Sequence, residues 1–409
     1  DAGHPVDSEW NRETRDILLQ WSQISTQLFM WKYVTNFYGY LLPHPNWDTL
    51  ASDLRFFADH KATGIFLEGT HRTNNGVGDF SQLRIWLMSK LMWNPQLDQS
   101  QLTDEFLQGY YGNAAPYLGA YLDLVQQAFL KQNRKLSAFN KDWIFLTLQD
   151  MNQATRLFNQ AANAVKDDPV LAARVQRERL SLDLLWFLRY KPMKRLAAQS
   201  GQEFLGPKNP ALAMQEFITA IENLGVAHYD IDRSFADVIP MLQRMFGPSS
   251  ALPEFARQFP PHAVIDIQEG DFSLYRYGKG SIFEEDSTAS NGQAAATGLG
   301  WGIQAQLNQA LPGPAPKKWH VYAMVRAAKG AKTNAENKVG AGIYDRTNGQ
   351  GIASEVFTLS GESYQRIDLG VHTLSGGMYV WFSPAGSPAP EKVYVDRILL
   401  VRAGEPPRN

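Results

Sequence analysis

The chain reads as a multidomain protein of class α/β plus all-β, and three changes of pattern predict it. Strands alternate with helices over the first hundred residues, helical periodicity alone follows, and period-two alternation begins after Pro260-Pro261. A length of 409 residues fits two or three domains. The expected partition is 1–100 for βα units, 101–259 for a helical region and 260–409 for a β-sandwich, jelly-roll-like in its short strands and frequent turns.

Taken in order, 11–24 has helical spacing with Ile17, Leu18 and Trp21 on one face, and Leu28 to Val34 is a β-rich run. Asn46 is placed to cap a helix whose Leu50, Leu54 and Phe57 recur at the helical period. Ile65-Phe66-Leu67 reads as a second buried strand. Asp79 is read as the cap of a helix carrying Leu83, Leu87 and Leu91 inward. Strand, helix, strand, helix implies parallel strands with right-handed crossovers, in a doubly wound sheet or a βα barrel. A barrel needs about eight such units. The earlier units are therefore expected on a segment outside this chain.

From Gln101 the pattern is helical, with long segments predicted over 117–132, 141–166 and 169–188. After residue 260, Trp319, Val321, Ala323 and Val325 alternate with His320, Tyr322 and Met324, and Asn291-Gly292 and Asn348-Gly349 mark turns. Tyr379 and Trp381 share one side of a strand and Met378, Val380 and Phe382 the other. Which side is core is open at this stage.

Composition narrows the chemistry. A net charge of -2 with both signs interspersed disfavours a nucleic-acid or polyanion partner. Cysteine is absent, which removes disulfides, thiolate metal sites and cysteine nucleophiles. There is no HExxH, P-loop, GxSxG or strand-linked GxGxxG, and no apolar run of membrane-span length. Eleven Trp, sixteen Tyr and twenty-two Phe make 12% aromatics, a composition suited to stacking on sugar rings.

In βα folds, working residues lie where strands run out into loops. The first strand ends in Trp31, Tyr33, Asn36 and Tyr38, a mix of aromatic platforms and polar groups; it fits either a sugar-binding wall or simple packing of the rim. The second strand ends in Glu68, followed by His71. Glu68 is either a catalytic acid, a hydroxyl-binding group or a salt-bridged rim carboxylate. In the last domain Glu284, Glu285 and Asp286 form either an oxygen-ligand site for Ca²⁺ or a solvated acidic turn.

The ordered series Trp31-Lys32-Tyr33-Val34-Thr35-Asn36-Phe37, Tyr40-Leu41-Leu42-Pro43-His44-Pro45-Asn46, Gly64-Ile65-Phe66-Leu67-Glu68-Gly69, Lys90-Leu91-Met92-Trp93-Asn94-Pro95 and Gly109-Tyr110-Tyr111-Gly112-Asn113-Ala114-Ala115-Pro116 resembles a bacterial TIM-barrel domain. That domain, long catalogued as of unknown function, is associated with glycoside hydrolase family 163. The resemblance covers roughly Trp10 to Leu124 and corresponds to the domain's carboxy-terminal part. It implies an extracellular or periplasmic endo-β-N-acetylglucosaminidase-like glycosidase without a cofactor, working on N-acetylhexosamine-containing glycans by substrate-assisted retention. By it, Trp31 and Tyr33 line the N-acetyl pocket and Glu68 binds or protonates substrate. Where the family more often carries glutamine, this chain has Glu68. A non-catalytic glycan-binding protein is the alternative expectation.

Overall fold

Parallel pairing of Leu28–Tyr33 (β1) with Ala62–Glu68 (β2) organises the amino-terminal part of the computed structural model. The structure describes residues 1–70, 75–140, 143–246, 250–274, 281–297, 302–311, 316–330 and 334–406. It divides into two units, Asp1–Leu188 with Glu203–Pro240, and Arg189–Gln202 with Met241–Asn409. The βα pair and most of the helices that follow it therefore share one unit.

In the first unit, Arg12–Ile24 (α1) precedes β1, Thr49–Asp59 (α2) joins β1 to β2, and Ser81–Trp93 (α3) follows β2. Leu50, Leu54 and Phe57 of α2 and Leu83, Leu87 and Leu91 of α3 are all buried, as their spacing predicts. The apolar stripe of α1 behaves differently, since Ile17 and Trp21 are exposed. The helices described next are Gln99–Tyr111 (α4), Ala115–Lys131 (α5), Leu148–Ala164 (α6), Pro169–Ser200 (α7, in this unit to Leu188), Pro210–Asn223 (α8) and Phe235–Arg244 (α9, in this unit to Pro240). α6 starts later than its pattern suggests because Thr147 and Asp150 form a capping box there. Trp143 instead turns inward and donates its indole N–H to Pro43 O at 3.0 Å. Among the described residues no third strand joins β1 and β2, so the structure holds a parallel pair and not the barrel expected from the resemblance.

The two polar residues read as caps do other work. Asp79 accepts the His44 N–H at 2.9 Å and Arg84 Nη2 at 3.2 Å, while α3 has Phe80 at its N-cap without a side-chain cap. Asn46 accepts Arg84 Nη1 at 2.5 Å and donates to Val34 O at 3.3 Å, and α2 begins after Asp48. Both are drawn inward by the buried guanidinium of Arg84.

In the second unit, after Glu254–Arg257 (α10), the described strands pack as a sandwich: Val264–Gln268 (β3), Ser273–Leu274 (β4), Ser281–Glu285 (β5), Gln293–Thr297 (β6), Ile303–Gln306 (β7), Lys317–Ala328 (β8), Lys338–Asp345 (β9), Gln350–Thr358 (β10), Gln365–Leu374 (β11), Met378–Ala385 (β12) and Lys392–Arg402 (β13). One antiparallel sheet runs β10-β9-β12-β7-β4. The other runs β11-β8-β13-β6-β5, with β3 also on β13. The alternation of β8 is realised, with Trp319, Val321, Ala323 and Val325 buried. A bulge in β13 lies between Val395 and Arg397. The buried Arg397 guanidinium bonds Asp266, Asp396, Ala251 O and the hydroxyls of Ser250 and Ser290.

Glu178 of α7 is buried beside the segment that follows β2. It accepts the Tyr111 hydroxyl at 2.9 Å and the Phe80 N–H at 3.2 Å. Phe80 is a non-glycine residue at φ 47°, so the carboxyl holds a costly left-handed backbone in place. Burial raises Glu178 to about 7; Tyr111, Arg177 and the Phe80 amide oppose the rise and Asp79 adds to it. A folded value above the ordinary 4.5 gives stability that is complete below about pH 4.5 and lost as pH rises through 7, on the order of 3 kcal/mol in all. Glu178→Gln is expected to flatten this slope, so that thermal melts of variant and parent converge or cross between pH 4.5 and 7. Parallel melting curves over that range would show that Glu178 does not titrate there.

Candidate functional site

The register of β1 on β2 sorts side chains into two faces. Trp31 pairs with Phe66 and Tyr33 with Glu68, so Phe29, Trp31 and Tyr33 share one face with Phe66 and Glu68. Met30, Lys32, Ile65 and Leu67 take the other, where the Lys32 ammonium meets Asp53 of α2. Parallel sheets are usually covered on both faces. Here the aromatic face is open: Trp31 is 65% exposed, and Phe29, Tyr33 and Phe66 are exposed as well.

Trp31 and Glu68 are joined across the strands. The indole Nε1–H donates to Glu68 Oε2 at 2.7 Å, and the Trp31 ring meets Phe66 edge-on at 5.3 Å. The bond fixes the orientation of a carboxylate at the carboxyl end of β2, beside an aromatic surface. Tyr33 continues that surface, edge-on to Phe37 at 5.0 Å and to Phe139 at 5.8 Å. Tyr38 is partly exposed and packs edge-on against Phe139 at 5.3 Å.

Four of the residues singled out from the sequence, Trp31, Tyr33, Tyr38 and Glu68, thus reach one aromatic cluster around the strand ends. Asn36 does not present itself to a ligand. It is buried, donating to Asn140 O at 3.1 Å and accepting the Tyr38 N–H at 3.0 Å, which makes it a brace of the loop after β1. His71 lies outside the described residues. Phe139 was not foreseen, because it sits on a polar connection a hundred residues from Tyr38 and carries no periodic signal. Phe29 and Phe66 were visible as strand residues, and only the register assigns them to the open face.

A buried polar layer lies behind the loops of this face. His44 is buried and neither ring nitrogen has a hydrogen-bond partner among the described residues. Burial, then Arg84 and Lys32, hold its pKa well below the usual histidine range, so it is neutral. Burial lifts the Asp79 carboxyl above its ordinary value, and Arg84 and the His44 amide oppose that rise.

At the acidic turn of the second unit Glu285 is exposed, and the other two carboxylates already have partners. Glu284 takes the Lys392 ammonium and the Tyr394 hydroxyl. Asp286 accepts from Thr288, Arg326 and Tyr364 at 2.6, 2.7 and 2.7 Å. Burial would raise Asp286, yet these bonds outweigh it and hold the group at about 2. A Ca²⁺ ion there would have to displace Lys392 and Arg326. Among the described residues no three His, Asp or Glu side chains are grouped to hold a metal ion, and no helix is long and apolar enough to cross a membrane.

Residues 1–123 match the family described as "Domain of unknown function (DUF4838)". No curated protein matches the chain. Among solved structures it is similar to the Podospora anserina GH26-CBM35 β-(1,4)-mannanase, at 13% identity and TM-score 0.25, over 36% of this chain and 29% of that one. It is similar to the family 35 carbohydrate-binding module from Clostridium thermocellum, at 15% identity and TM-score 0.25, over 33% of this chain and 97% of the module. A third is a CBM36 carbohydrate-binding module in complex with calcium and xylotriose, at 14% identity and TM-score 0.21, over 33% of this chain and 98% of the module. The chain thus spans less than a third of the mannanase.

Because the aromatic face is not core, truncating it is expected to be nearly silent for folding. Trp31→Ala and Tyr33→Ala should each change unfolding free energy by about 1 kcal/mol or less. Phe37→Ala, at a fully buried ring, should cost about 3–5 kcal/mol in the same urea titrations. A Trp31→Ala loss as large as that of Phe37→Ala would mean that this face is packed in solution.

Proposed function

We propose that this chain works on glycans as part of a glycoside hydrolase for β-linked, N-acetylhexosamine-containing substrates, with the open β1–β2 face as one wall of the substrate site. The observation that carries the reading is the Glu68 carboxylate held by the Trp31 indole at 2.7 Å on an exposed aromatic surface at the carboxyl ends of parallel strands. A pyranose has an apolar face and a belt of hydroxyls. It needs a flat ring to stack on and a fixed oxygen to bond, and Trp31, Tyr33 and Glu68 supply both. The resemblance of the strand-end motifs to a family 163 domain supports the same reading.

Glycoside cleavage takes either two carboxyl groups or one acid with the substrate's own acetamido oxygen as nucleophile. Among the described residues the β1–β2 face carries Glu68 as its one carboxylate, which is compatible with the second route. The acetamido oxygen bonds to the anomeric carbon, the glycosidic oxygen leaves with a proton from Glu68, and water then opens the cyclic intermediate and returns the proton. In this reading further βα units complete the wall, which accords with the exposed aromatic face of β1 and β2. An extracellular or periplasmic setting belongs to the same proposal.

The test is hydrolysis of chitobiose-containing N-glycans by the full polypeptide that carries these residues. Glu68→Gln is expected to lower kcat by about a hundredfold or more, and Trp31→Ala to raise KM. Full turnover in Glu68→Gln sinks the acid role. The second reading, a glycan-binding protein without turnover, is favoured by the single carboxylate that the described residues place on the face. It is upheld if the wild-type polypeptide binds these glycans, loses binding in Trp31→Ala and releases no product.

A further inference from the structure

The sandwich of the second unit carries its own aromatic surface, on the outer face of the five-stranded sheet. Along β12, Met378, Val380 and Phe382 are buried, whereas Tyr379 and Trp381 point outward and are partly exposed. The register sets Tyr379 between Tyr344 of β9 and Gln306 of β7, and Trp381 between Gly342 and Gln304. The Tyr344 and Tyr379 rings stack at 5.3 Å with an interplanar angle of 26°.

The indole of Trp381 lies across β9. A Cβ built on Gly342 would meet its Cε2 and Cζ2 atoms at 2.7 Å, and one on Gly340 would meet Cζ3 at 3.5 Å. Two glycines therefore leave the space into which the ring is laid, and a glycine inside a strand often marks such a close approach. One face of the ring is turned to the backbone, and the other is available to a ligand.

A second observation concerns Gln306 on the same sheet face. It is 9% exposed, and its Oε1 has no hydrogen-bond partner among the described residues. A buried amide oxygen without a donor costs about 1–3 kcal/mol, and a ligand hydroxyl would satisfy it. The face formed by Gln304, Gln306, Tyr344, Tyr379 and Trp381 carries no charge. Aromatic rings beside neutral amides match an uncharged polyhydroxylated ligand better than an anionic polymer.

We propose that this face is a binding site for an extended β-linked oligosaccharide of equatorially substituted pyranoses, with Trp381 as the stacking platform and Gln306 as a hydroxyl partner. The inference rests on the glycan reading above for its ligand class, and its residues are separate from the β1–β2 face. Flat pyranose faces of a β-linked chain fit an indole lying along the sheet, whereas the coiled backbone of an α-1,4-linked chain does not.

The experiment is calorimetric and tryptophan-fluorescence titration of the full chain with cellohexaose, xylohexaose and chitohexaose, with maltohexaose as the α-linked control. At least one β-linked hexasaccharide is expected to bind, with affinity falling tenfold or more in Trp381→Ala and severalfold in Gln306→Ala. Val371→Ala, at an exposed position of β11 in the other sheet, should leave this binding intact. Trp381→Phe keeps a ring on the glycine floor and should fold with a partial loss, which secures the test if the alanine variant does not fold. Absence of binding to all three β-linked probes, undiminished binding in a folded Trp381 variant, or equal affinity for maltohexaose would overturn the proposal. Loss of binding in Trp31→Ala alone would overturn it too, while leaving the β1–β2 reading standing.

Discussion

The guanidinium of Arg84 is the tie on which the first unit's candidate site depends. Buried at the start of α3, it bonds the Asp79 carboxylate, the Asn46 amide oxygen and the His44 carbonyl, and lies over the Trp47 ring at 4.0 Å. These groups come from the loop after β1 and from the segment leading into α3. One charge therefore fixes both connections that border Trp31, Tyr33 and Glu68. Removing it would strand Asp79 as a buried carboxylate without its cation, which is far costlier than losing a surface pair. The Asp79 N–H to Tyr40 O bond at 3.1 Å adds a backbone clamp between the same two connections.

Around that tie the first unit's helical portion acts as a clamp on the same segment. Arg177 donates to Asn75 O and Gly76 O, and Glu178 takes the Phe80 N–H. Asn75 and Phe80 are non-glycine residues with positive φ, so the backbone there is held in conformations it would not choose alone. The chain ahead of it is held as well, since Phe37 N–H reaches Ala138 O and Ile231 N–H reaches Phe37 O. The helices from α4 onward, expected as a separate domain, thus supply partners that the loops of the βα pair lack. The compact unit follows from these bonds as well as from apolar packing.

Periodicity made the regular elements legible. Leu50, Leu54 and Phe57, Leu83, Leu87 and Leu91, and the β8 alternation all face inward because one buried side chain per turn or per second residue is what a helix or half-covered strand demands. Strand parity likewise put Tyr379 and Trp381 on one side of their strand, opposite the buried Met378, Val380 and Phe382. What sequence could not show is where a polar side chain finds its partner. Asn46 and Asp79 occupy cap positions by local logic, yet a cation 38 residues from one and 5 from the other offers stronger bonds in a buried site. Asn36 has the residue type of a sugar ligand and the environment of a brace, and only Asn140, 104 residues on, reveals it.

Trp31 and Trp381 show how the same side chain can be prepared for contact in different ways. Trp31 stands on a strand with its neighbours spread along the face, and its position is set by an edge bond from Nε1 to Glu68. An indole held by its edge keeps its faces open, and orienting it also orients the carboxylate. Trp381 lies against Gly340 and Gly342, where a side chain on either glycine would meet the ring. The first arrangement couples a stacking surface to a charged group, the combination that chemistry on a sugar requires. The second lays a neutral ring on the strand, with no charged group bonded to it. The physical division lies in what each indole leans on, a carboxylate in one case and bare backbone in the other.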